Sequence, residues 1–294
     1  MTERIKLKKA PCTWSIRQIH ERVRREIAQQ EARHLILHPE GDMVERHLSV
    51  NSGFCKAMVN CGYLTPEQIQ HAACRYRLGM TRDGGVIFWQ IDLLNDWHDG
   101  KIMYYREDGH RDHYHNPTWV YTELKRFYLG KEHPLFHETT STHCLFGLHL
   151  LKEGQRTKDE GLRSKDEGQR TKDEGLRSED DGVRSTVCVV EAEKTAVVMS
   201  EKFPQHLWLA TGGLNELTPN KLFPLRGHRV ILFPDTDEDG RTYRLWYEMA
   251  QKAKFLLGHS VTVSPLLELQ ATPDQKRRKI DLVDYLFERS KRGV

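Results

Sequence analysis

The sequence lacks three features that would identify its class at once. None of its six cysteines stands in a C-x-x-C pair, so the paired thiolates of a zinc ribbon or zinc finger are not indicated and no zinc is expected. The opening residues have no apolar stretch of the kind that forms a secretory leader. No run approaches the roughly 18 apolar residues of a membrane span. These absences predict a cytoplasmic protein with free thiols and no membrane partner.

Charged residues are plentiful but unevenly placed. The 294 residues are 38% hydrophobic and 30% charged, which is enough for two modest domains that each bury a core. Lys and Arg outnumber Asp and Glu by 8 to 3 in residues 1–30 and by 7 to 3 in residues 275–294. Basic ends fit contact with the backbone of a nucleic acid, and the alternative is an ordinary solvated surface.

A tandem repeat with a period of seven occupies residues 154–185, and its copies read GQRTKDE, GLRSKDE, GQRTKDE and GLRSEDD. Each copy has at most one apolar residue and carries a glycine, which costs a helix about 1 kcal/mol relative to alanine. A segment with so little to bury cannot offset its ordering entropy, so a flexible, disordered insert is predicted. The insert suggests four parts: a basic helical arm (1–50), an α+β subdomain (51–150), a linker (151–185) and an α/β domain (186–294).

Helix signals are clearest before the repeat. An amphipathic helix is predicted after Ser15, either as a basic arm against DNA or as a surface helix. A second helix is predicted from Thr65 as N-cap, Pro66 at the first position and Gln68 completing a capping box, with Gly79 following its last turn. Two strand-like runs, 85–91 and 101–105, are separated by a polar turn and predict an antiparallel pair.

Strands and helices alternate after the repeat, which predicts a parallel sheet covered by helices on both faces. The predicted strands are 186–190, 207–210, 229–234 and 261–263. The predicted helices are 194–201, 241–257 with Gly258 ending it, and 281–291.

Carboxylates follow two of these strands. Glu191 comes directly after the first strand, and Asp235 and Asp237 follow the third. Ligands of an open α/β sheet bind outside the carboxyl ends of its strands. Carboxylate oxygens are ligands that Mg²⁺ prefers, and substrate phosphates commonly complete its coordination. The sequence therefore predicts a magnesium site, with Mn²⁺ as the alternative ion, at this edge of the sheet.

The residues around the Asp-x-Asp motif also bear on its other interpretations. A calcium-binding EF-hand loop needs Glu at its twelfth position, where this chain has Trp246. An aspartyl-phosphate hydrolase with Asp235 as nucleophile stays open, as does a solvated turn, because Asp and Gly are common in turns.

Four motifs resemble those of the Toprim domain, the catalytic domain of bacterial replicative primases, of type IA and type II topoisomerases and of some nucleases. The strand that ends at Glu191 resembles the first motif, and Asp-x-Asp-x-x-Gly from Asp235 resembles the second. The segments 209–213 (LATGG) and 279–285 (KIDLVDY) resemble the glycine-bearing turn and the late Lys-Asp-x-x-Asp segment. The chain departs from the family pattern at Ala192, where glycine is usual, and at Ile280, which separates Lys279 from Asp281.

A weaker likeness extends upstream. The short motifs 76–79 (YRLG), 86–88 (VIF), 100–102 (GKI), 135–137 (LFH) and 145–148 (LFGL) resemble, in the same order, the segment that precedes Toprim in bacterial primases. The likeness covers roughly residues 75–150 and 186–290. Neither the zinc-binding module nor the helicase domain of replicative primases is visible. The chain is most similar to the primase-like Toprim proteins of bacterial mobile elements.

The resemblance implies a fold, a function and a set of residues. The fold would be a C-terminal, Rossmann-like Toprim domain preceded by a smaller primase-like α+β subdomain and an N-terminal helical arm. The function would be Mg²⁺-dependent primer synthesis on single-stranded DNA from nucleotides, in concert with a helicase or another replication protein. A non-catalytic DNA-binding accessory protein and a Toprim-type nuclease are the alternatives.

The residues expected to act fall into three groups. Glu191, Asp235 and Asp237 are expected to be catalytic and, with Asp281 and Asp284, to bind metal. Phosphate or nucleotide contacts are expected from Lys194, Thr211, Gly212, Gly213 and Gly240. Nucleic-acid contacts are expected from Arg77, Arg106, Arg111, Lys125 and Arg126.

Overall fold

The computed structural model describes Glu21 and residues 42–128, 141–151, 186–259 and 261–291. The helix predicted after Ser15, apart from Glu21, and the repeat at 154–185 lie outside the described residues. Two compact units make up the chain, one from Met1–Met43 and Tyr121–Thr140, the other from Val44–Val120 and Ser141–Val294. The second unit holds both sheets and the candidate site. Among the described residues, no helix is both long enough and apolar enough to cross a membrane.

The first half of the larger unit is an antiparallel sheet with helices. Its strands β1 (Gly79–Met80), β2 (Val86–Ile91), β3 (Trp97–Met103) and β4 (Thr118–Trp119) pair in that order. Three helices precede the sheet: α1 (Met43–His47), α2 (Gly53–Asn60) and α3 (Pro66–Arg75). Helix α4 (Val120–Tyr128) follows the sheet in sequence and belongs, from Tyr121 onward, to the smaller unit. Every residue of β2 is buried, because both faces of this central strand are covered.

The second half is a parallel sheet flanked by helices. Strands β5 (Thr186–Val190), β6 (Leu207–Ala210), β7 (Arg229–Phe233) and β8 (Thr262–Val263) are arranged in the order β6-β5-β7-β8. Helix α5 (Glu193–Lys202) connects β5 to β6, α6 (Pro219–Leu222) precedes β7, and α7 (Arg241–Leu257) connects β7 to β8. Helices α8 (Leu266–Gln270), α9 (Pro273–Arg278) and α10 (Leu282–Lys291) complete the described chain. This mixed α/β architecture confirms the predicted class and is Rossmann-like in character.

One hydrophobic core runs through both sheets. Tyr76 joins them, since its hydroxyl donates to the carbonyl of Trp208 on β6 (2.7 Å) and its ring stacks on Phe146 at 5.0 Å between centroids. Phe146 in turn pairs with Ala210 through two backbone hydrogen bonds, which extends the edge of the parallel sheet. The two sheets are therefore parts of one packed body.

Several predicted boundaries need correction. The helix capped by Thr65 has the predicted capping box but ends at Arg75 rather than at Gly79. Arg77 adopts a left-handed conformation (φ 51°) directly after it, and Gly79 begins β1 instead. Strand β3 begins at Trp97, four residues earlier than predicted, because it pairs with β2 as far as Ile91 across a bulge. Helices α1, α2, α4, α6, α8 and α9 and strands β1 and β4 were not predicted individually.

Candidate functional site

The candidate site lies where the order of the parallel strands reverses. From the neighbouring strands β5 and β7, the chain continues outward to β6 on one side and to β8 on the other. Ligands of open α/β sheets bind at such a switch point, outside the carboxyl ends of the strands. Val190 and Phe233 are register partners, so Glu191 and Asp235 both follow the strands at this point. The prediction that these two carboxylates meet at one edge agrees with this topology.

A cleft of about 560 Å³ opens at this edge. Its volume lies within the range of about 300–1,000 Å³ that is usual for small-molecule sites. The antiparallel sheet supplies one side, since Lys101, Met103 and Tyr105 alternate along β3 and its continuation and so face the same way. The carboxyl edge of the parallel sheet supplies the other side through Glu191, Ala192, Lys194, the turn 212–216 and Asp281.

Glu191 and Asp235 are two partly buried carboxyl groups that oppose each other's ionisation. Burial raises the pKa of Glu191 to about 7, although the Lys101 ammonium and the backbone N–H of Leu214 act against the shift. Burial also raises the pKa of Asp235 well above its ordinary value, and the charges of Glu191 and Asp281 raise it further. The Asp235 carboxylate accepts no hydrogen bond from any described residue. The groups around Glu191 and Asp235 therefore supply less positive charge than two ionised carboxylates would need.

Asp281 and Asp284 lie at the N-terminus of helix α10 and bind the Lys194 ammonium group. The Asp284 N–H donates to Asp281 Oδ1 (2.8 Å) and the Asp281 N–H donates to Asp284 Oδ2 (3.4 Å), a reciprocal capping pair. Lys194 Nζ lies 3.0 Å from Asp281 Oδ2 and 3.5 Å from Asp284 Oδ1. Although burial disfavours the ammonium, these two charges raise the pKa of Lys194. Thr195 Oγ1 donates to Asp281 as well (2.8 Å).

Asp237 accepts hydrogen bonds from the loop before α7 and from the first turn of that helix. Its Oδ1 accepts from the N–H groups of Asp239 (3.1 Å) and Arg241 (2.9 Å), and its Oδ2 accepts from both the N–H and the hydroxyl of Thr242. Burial alone would raise the pKa of Asp237, but these hydrogen bonds hold it below its ordinary value. Asp237 thus serves as the capping side chain that Gly240, at the formal N-cap position, cannot provide.

The glycine-bearing turn after β6 lies against the first motif. Gly212 has a φ of 93°, and a Cβ there would lie 3.2 Å from Glu193 Oε1, so this position favours glycine. Its N–H donates to the Glu191 carbonyl (3.0 Å), and the Thr211 hydroxyl bonds to the Gly213 carbonyl (3.0 Å). The turn therefore holds the backbone on which Glu191 is carried.

Ala192 causes no backbone strain. Its φ of −98° and ψ of 142° belong to the extended region that any residue adopts. The additional backbone freedom that glycine would provide is therefore not needed at this position.

Lys101 is a site residue that the sequence did not single out. Its Nζ donates to the Gly212 carbonyl (2.6 Å) and to Glu193 Oε2 (3.1 Å), and so ties β3 to the turn and to the start of α5. Glu193 Oε1 and the amide of the buried Gln90 have no hydrogen-bond partner within the described part of the chain. The sequence offered the alternation of Lys101 and Met103 on a strand and the GKI segment of the upstream likeness, and neither reveals which sheet the lysine reaches.

The five predicted nucleic-acid contacts are scattered. Arg111 lines the cleft, and its Nε is a buried donor without a partner among the described residues. Arg77 donates to Asn95 (3.4 Å) and Arg106 pairs with Asp108 (2.7 Å), both away from the cleft wall. Lys125 and Arg126 belong to the smaller unit, where Lys125 lies over the Tyr121 ring and Arg126 pairs with Glu123. Only Arg111 lines the cleft together with Glu191.

A magnesium ion would fit this site together with a substrate that supplies part of its coordination, rather than with protein ligands alone. Within the described ranges, no group of three or more His, Cys, Asp or Glu side chains could hold a metal ion. Glu191 and Asp235 nevertheless offer the one or two carboxylates by which Mg²⁺ is commonly held alongside phosphate oxygens and water. Burial raises the pKa of both groups, and a bound cation would lower it again.

One comparison with known proteins, the one with protein-family models, matches this region of the chain. No curated protein matches the sequence. Residues 52–159 and 176–236 match the model of a domain of unknown function, DUF6371, and the gap between the two matched segments lies inside the repeat. The match takes in Lys101, Glu191 and Asp235. Since it covers more than half of the 294 residues, the chain belongs to the DUF6371 family.

Proposed function

We propose that the chain is a Toprim protein that acts on nucleic acid with Mg²⁺, and that its activity is primase-like nucleotidyl transfer. One observation carries this proposal: Glu191 and the neighbouring Asp235 follow adjacent strands at the switch point of the sheet, and Glu191 faces a cleft with Lys101 and Arg111. Two carboxyl groups whose ionisation is opposed by burial, beside an arginine with an unpartnered Nε, suit a phosphate with its metal.

Glu191 and Asp235 would hold the ion, and Mg²⁺ or Mn²⁺ would supply positive charge to the phosphate oxygens of a nucleotide. Where Asp235 alone holds the ion, Glu191, whose burial raises its pKa to about 7, would instead act as general acid or base. Arg111 can donate its unpartnered Nε to an anionic oxygen. Lys101 holds the Gly212 turn and is therefore a positioning residue. Asp281 and Asp284 keep Lys194 neutralised, so we assign them no metal.

Single-stranded DNA and nucleotides are the proposed partners, and a helicase or another replication protein of a mobile element would present the strand. The basic ends of the chain would contribute sequence-independent contacts, together with the other predicted nucleic-acid contacts, Arg77, Arg106, Lys125 and Arg126.

Primer synthesis tests the proposal. The protein is incubated with a single-stranded template, labelled nucleotides and Mg²⁺, and extension products are resolved on a gel. We expect Asp235→Asn to lower the rate at least about 100-fold, the effect expected when a preorganised charge is removed from a site. Asp239→Asn, an exposed carboxylate on the same loop, is the matched control and should retain the wild-type rate. Synthesis that survives Asp235→Asn would remove this site from the reaction.

A non-catalytic DNA-binding role is the second candidate, and one observation favours it. Asp237 is already engaged by the α7 cap, and Asp281 and Asp284 by Lys194, which leaves two of the five predicted metal ligands. In this case DNA binding should weaken steeply with salt, Asp235→Asn should bind as the wild type does, and no product should form. Cleavage of the labelled strand would instead identify a nuclease.

A further inference from the structure

Trp119 occupies a defined place on the cleft wall. It is the register partner of Lys101 across β3 and β4. Side chains that face each other in an antiparallel pair lie on the same face of the sheet, with Cβ atoms about 4.5–5.5 Å apart. Trp119 therefore stands beside the lysine that grips the Gly212 turn, and both residues line the cleft.

One face of the Trp119 ring is already braced. The His143 ring stacks on it with 4.0 Å between centroids and 23° between planes. His143 is itself held at both nitrogens, with Nε2 at 3.2 Å from Ser141 Oγ and 3.5 Å from Asp99 Oδ2, and Nδ1 at 3.9 Å from Glu216 Oε2. Asp99 is fully buried. A ring supported in this way is a rigid platform rather than a mobile side chain.

The lining of the cleft combines two kinds of chemistry. Trp119, Pro117, Met103 and Leu214 supply apolar surface, whereas Glu191, Lys101 and Arg111 supply charge. A nucleoside triphosphate has the same division between a flat aromatic base and a metal-binding phosphate chain. Bases stack on aromatic side chains largely without regard to sequence.

We propose that Trp119, braced by His143, is the platform on which the base of a nucleoside triphosphate stacks while its phosphates face Glu191. This inference rests on the proposed function, because it places the nucleotide in the same cleft.

Calorimetric binding without turnover tests the inference. ATP with Mg²⁺ and tripolyphosphate with Mg²⁺, which has no base, are titrated into the full-length wild type and its variants. We expect Trp119→Ala to weaken ATP binding roughly 5- to 100-fold, the range that corresponds to loss of one stacked base. Tripolyphosphate binding should stay unchanged, Trp119→Phe should keep most of the affinity, and His143→Ala should lose part of it.

Trp97→Ala is the matched control. Trp97 is a half-buried tryptophan on the same sheet that packs against Trp89 and does not line the cleft, so its variant should bind ATP as the wild type does. The Trp119 indole N–H resonance, identified by its disappearance in Trp119→Phe, should shift on addition of ATP and not of tripolyphosphate. This second measurement needs no alanine variant and so does not depend on whether Trp119→Ala folds.

Three outcomes would overturn the inference: no binding of ATP by the wild type, equal affinity for ATP in Trp119→Ala, or sensitivity to Trp119 with a single-stranded oligonucleotide but not with ATP. The last would assign the platform to the strand instead. Wild-type protein that binds ATP through Trp119 and yet makes no primer would support the inference and end the proposed function, so the two failures are distinguishable.

Discussion

At the scale of residues, the charged groups of the site are neutralised to different degrees. Lys194 is neutralised by Asp281 and Asp284, and Asp237 by the amides of α7. The Lys101 ammonium counters the effect of burial on Glu191, whereas Asp235 has, among the described residues, only the Lys194 ammonium, which Asp281 and Asp284 already bind. Two carboxylates left in this condition destabilise the folded state at neutral pH. Such local cost is common where a protein keeps a site ready for a ligand.

Replacing Glu191 should therefore stabilise the free protein, and only above acid pH. A carboxyl group whose folded pKa is raised contributes stability below its unfolded pKa of 4.5 and loses it as pH rises through about 7. After allowance for solvent at a partly exposed group, we expect Glu191→Gln to exceed the wild type by about 1–2 kcal/mol at pH 8. The free energies of unfolding should coincide near pH 4.5. Urea unfolding at both pH values, without added metal, measures the difference.

The exposed Glu238→Gln is the control and should follow the wild type at both pH values. A Glu191→Gln protein that is less stable than the wild type at pH 8 would mean that the carboxylate is held by favourable contacts, contrary to the description of the site given above.

Residues at strand ends were predictable, whereas pairs across the fold were not. Glu191 and Asp235 follow short apolar runs, and the chemistry of a strand's carboxyl end can be read from the sequence. The partners of Lys194 come from a helix far along the chain, and Lys101 reaches from one sheet to a turn of the other. No local pattern carries such information, because packing decides it.

At the scale of elements, α7 shows how one motif can serve structure as well as chemistry. The sequence predicted both ends of this helix, since Gly258 adopts the left-handed conformation that ends it (φ 74°). It did not predict that Asp237 would bond the amides of the first turn. Short elements such as β1 and β4 were missed because two residues carry no periodicity. Helix α9 was missed even though Thr272 and Gln275 form a capping box.

Two substitutions at Asp237 separate capping from ligation. Asn can replace Asp as a cap, whereas Ala cannot, so we expect Asp237→Ala to lose about 1–2 kcal/mol and Asp237→Asn less than about 0.5 kcal/mol. Thermal and urea unfolding of both variants give these values. If Asp237 also binds Mg²⁺, the Asn variant should lose metal affinity in a calorimetric titration while keeping its stability. An equal loss of stability in both variants would show that the charge, not the cap, is what matters at this position.

At the scale of the whole molecule, the chain on both sides of the repeat forms one core. Residues from Phe54 to Leu151 and from Val187 to Tyr285 pack in a single cluster, and the Tyr76–Phe146 stack lies at the joint. The predicted boundary between an α+β subdomain and a C-terminal domain stays a prediction. The sequence could indicate two sheets from the change in strand pattern, but not that their faces would share a core, because the contacts that join them are long-range.

Because the described residues on both sides of the repeat already pack in one core, the repeat should be replaceable. The change is a short Gly/Ser linker in place of residues 154–185. Shortening a loop alters its closure entropy only slowly, by about 0.6 kcal/mol for each twofold change in length, so the melting temperature should shift by no more than a few degrees. Calorimetry and the Mg²⁺ titration are carried out on both proteins, and the metal affinity should be unchanged. A linker of equal length that keeps the repeat's composition in scrambled order is the control for length. If the short-linker protein melts much earlier than the wild type while the scrambled one does not, the residues of the repeat contribute by composition; if both melt early, its ordered sequence packs against the core.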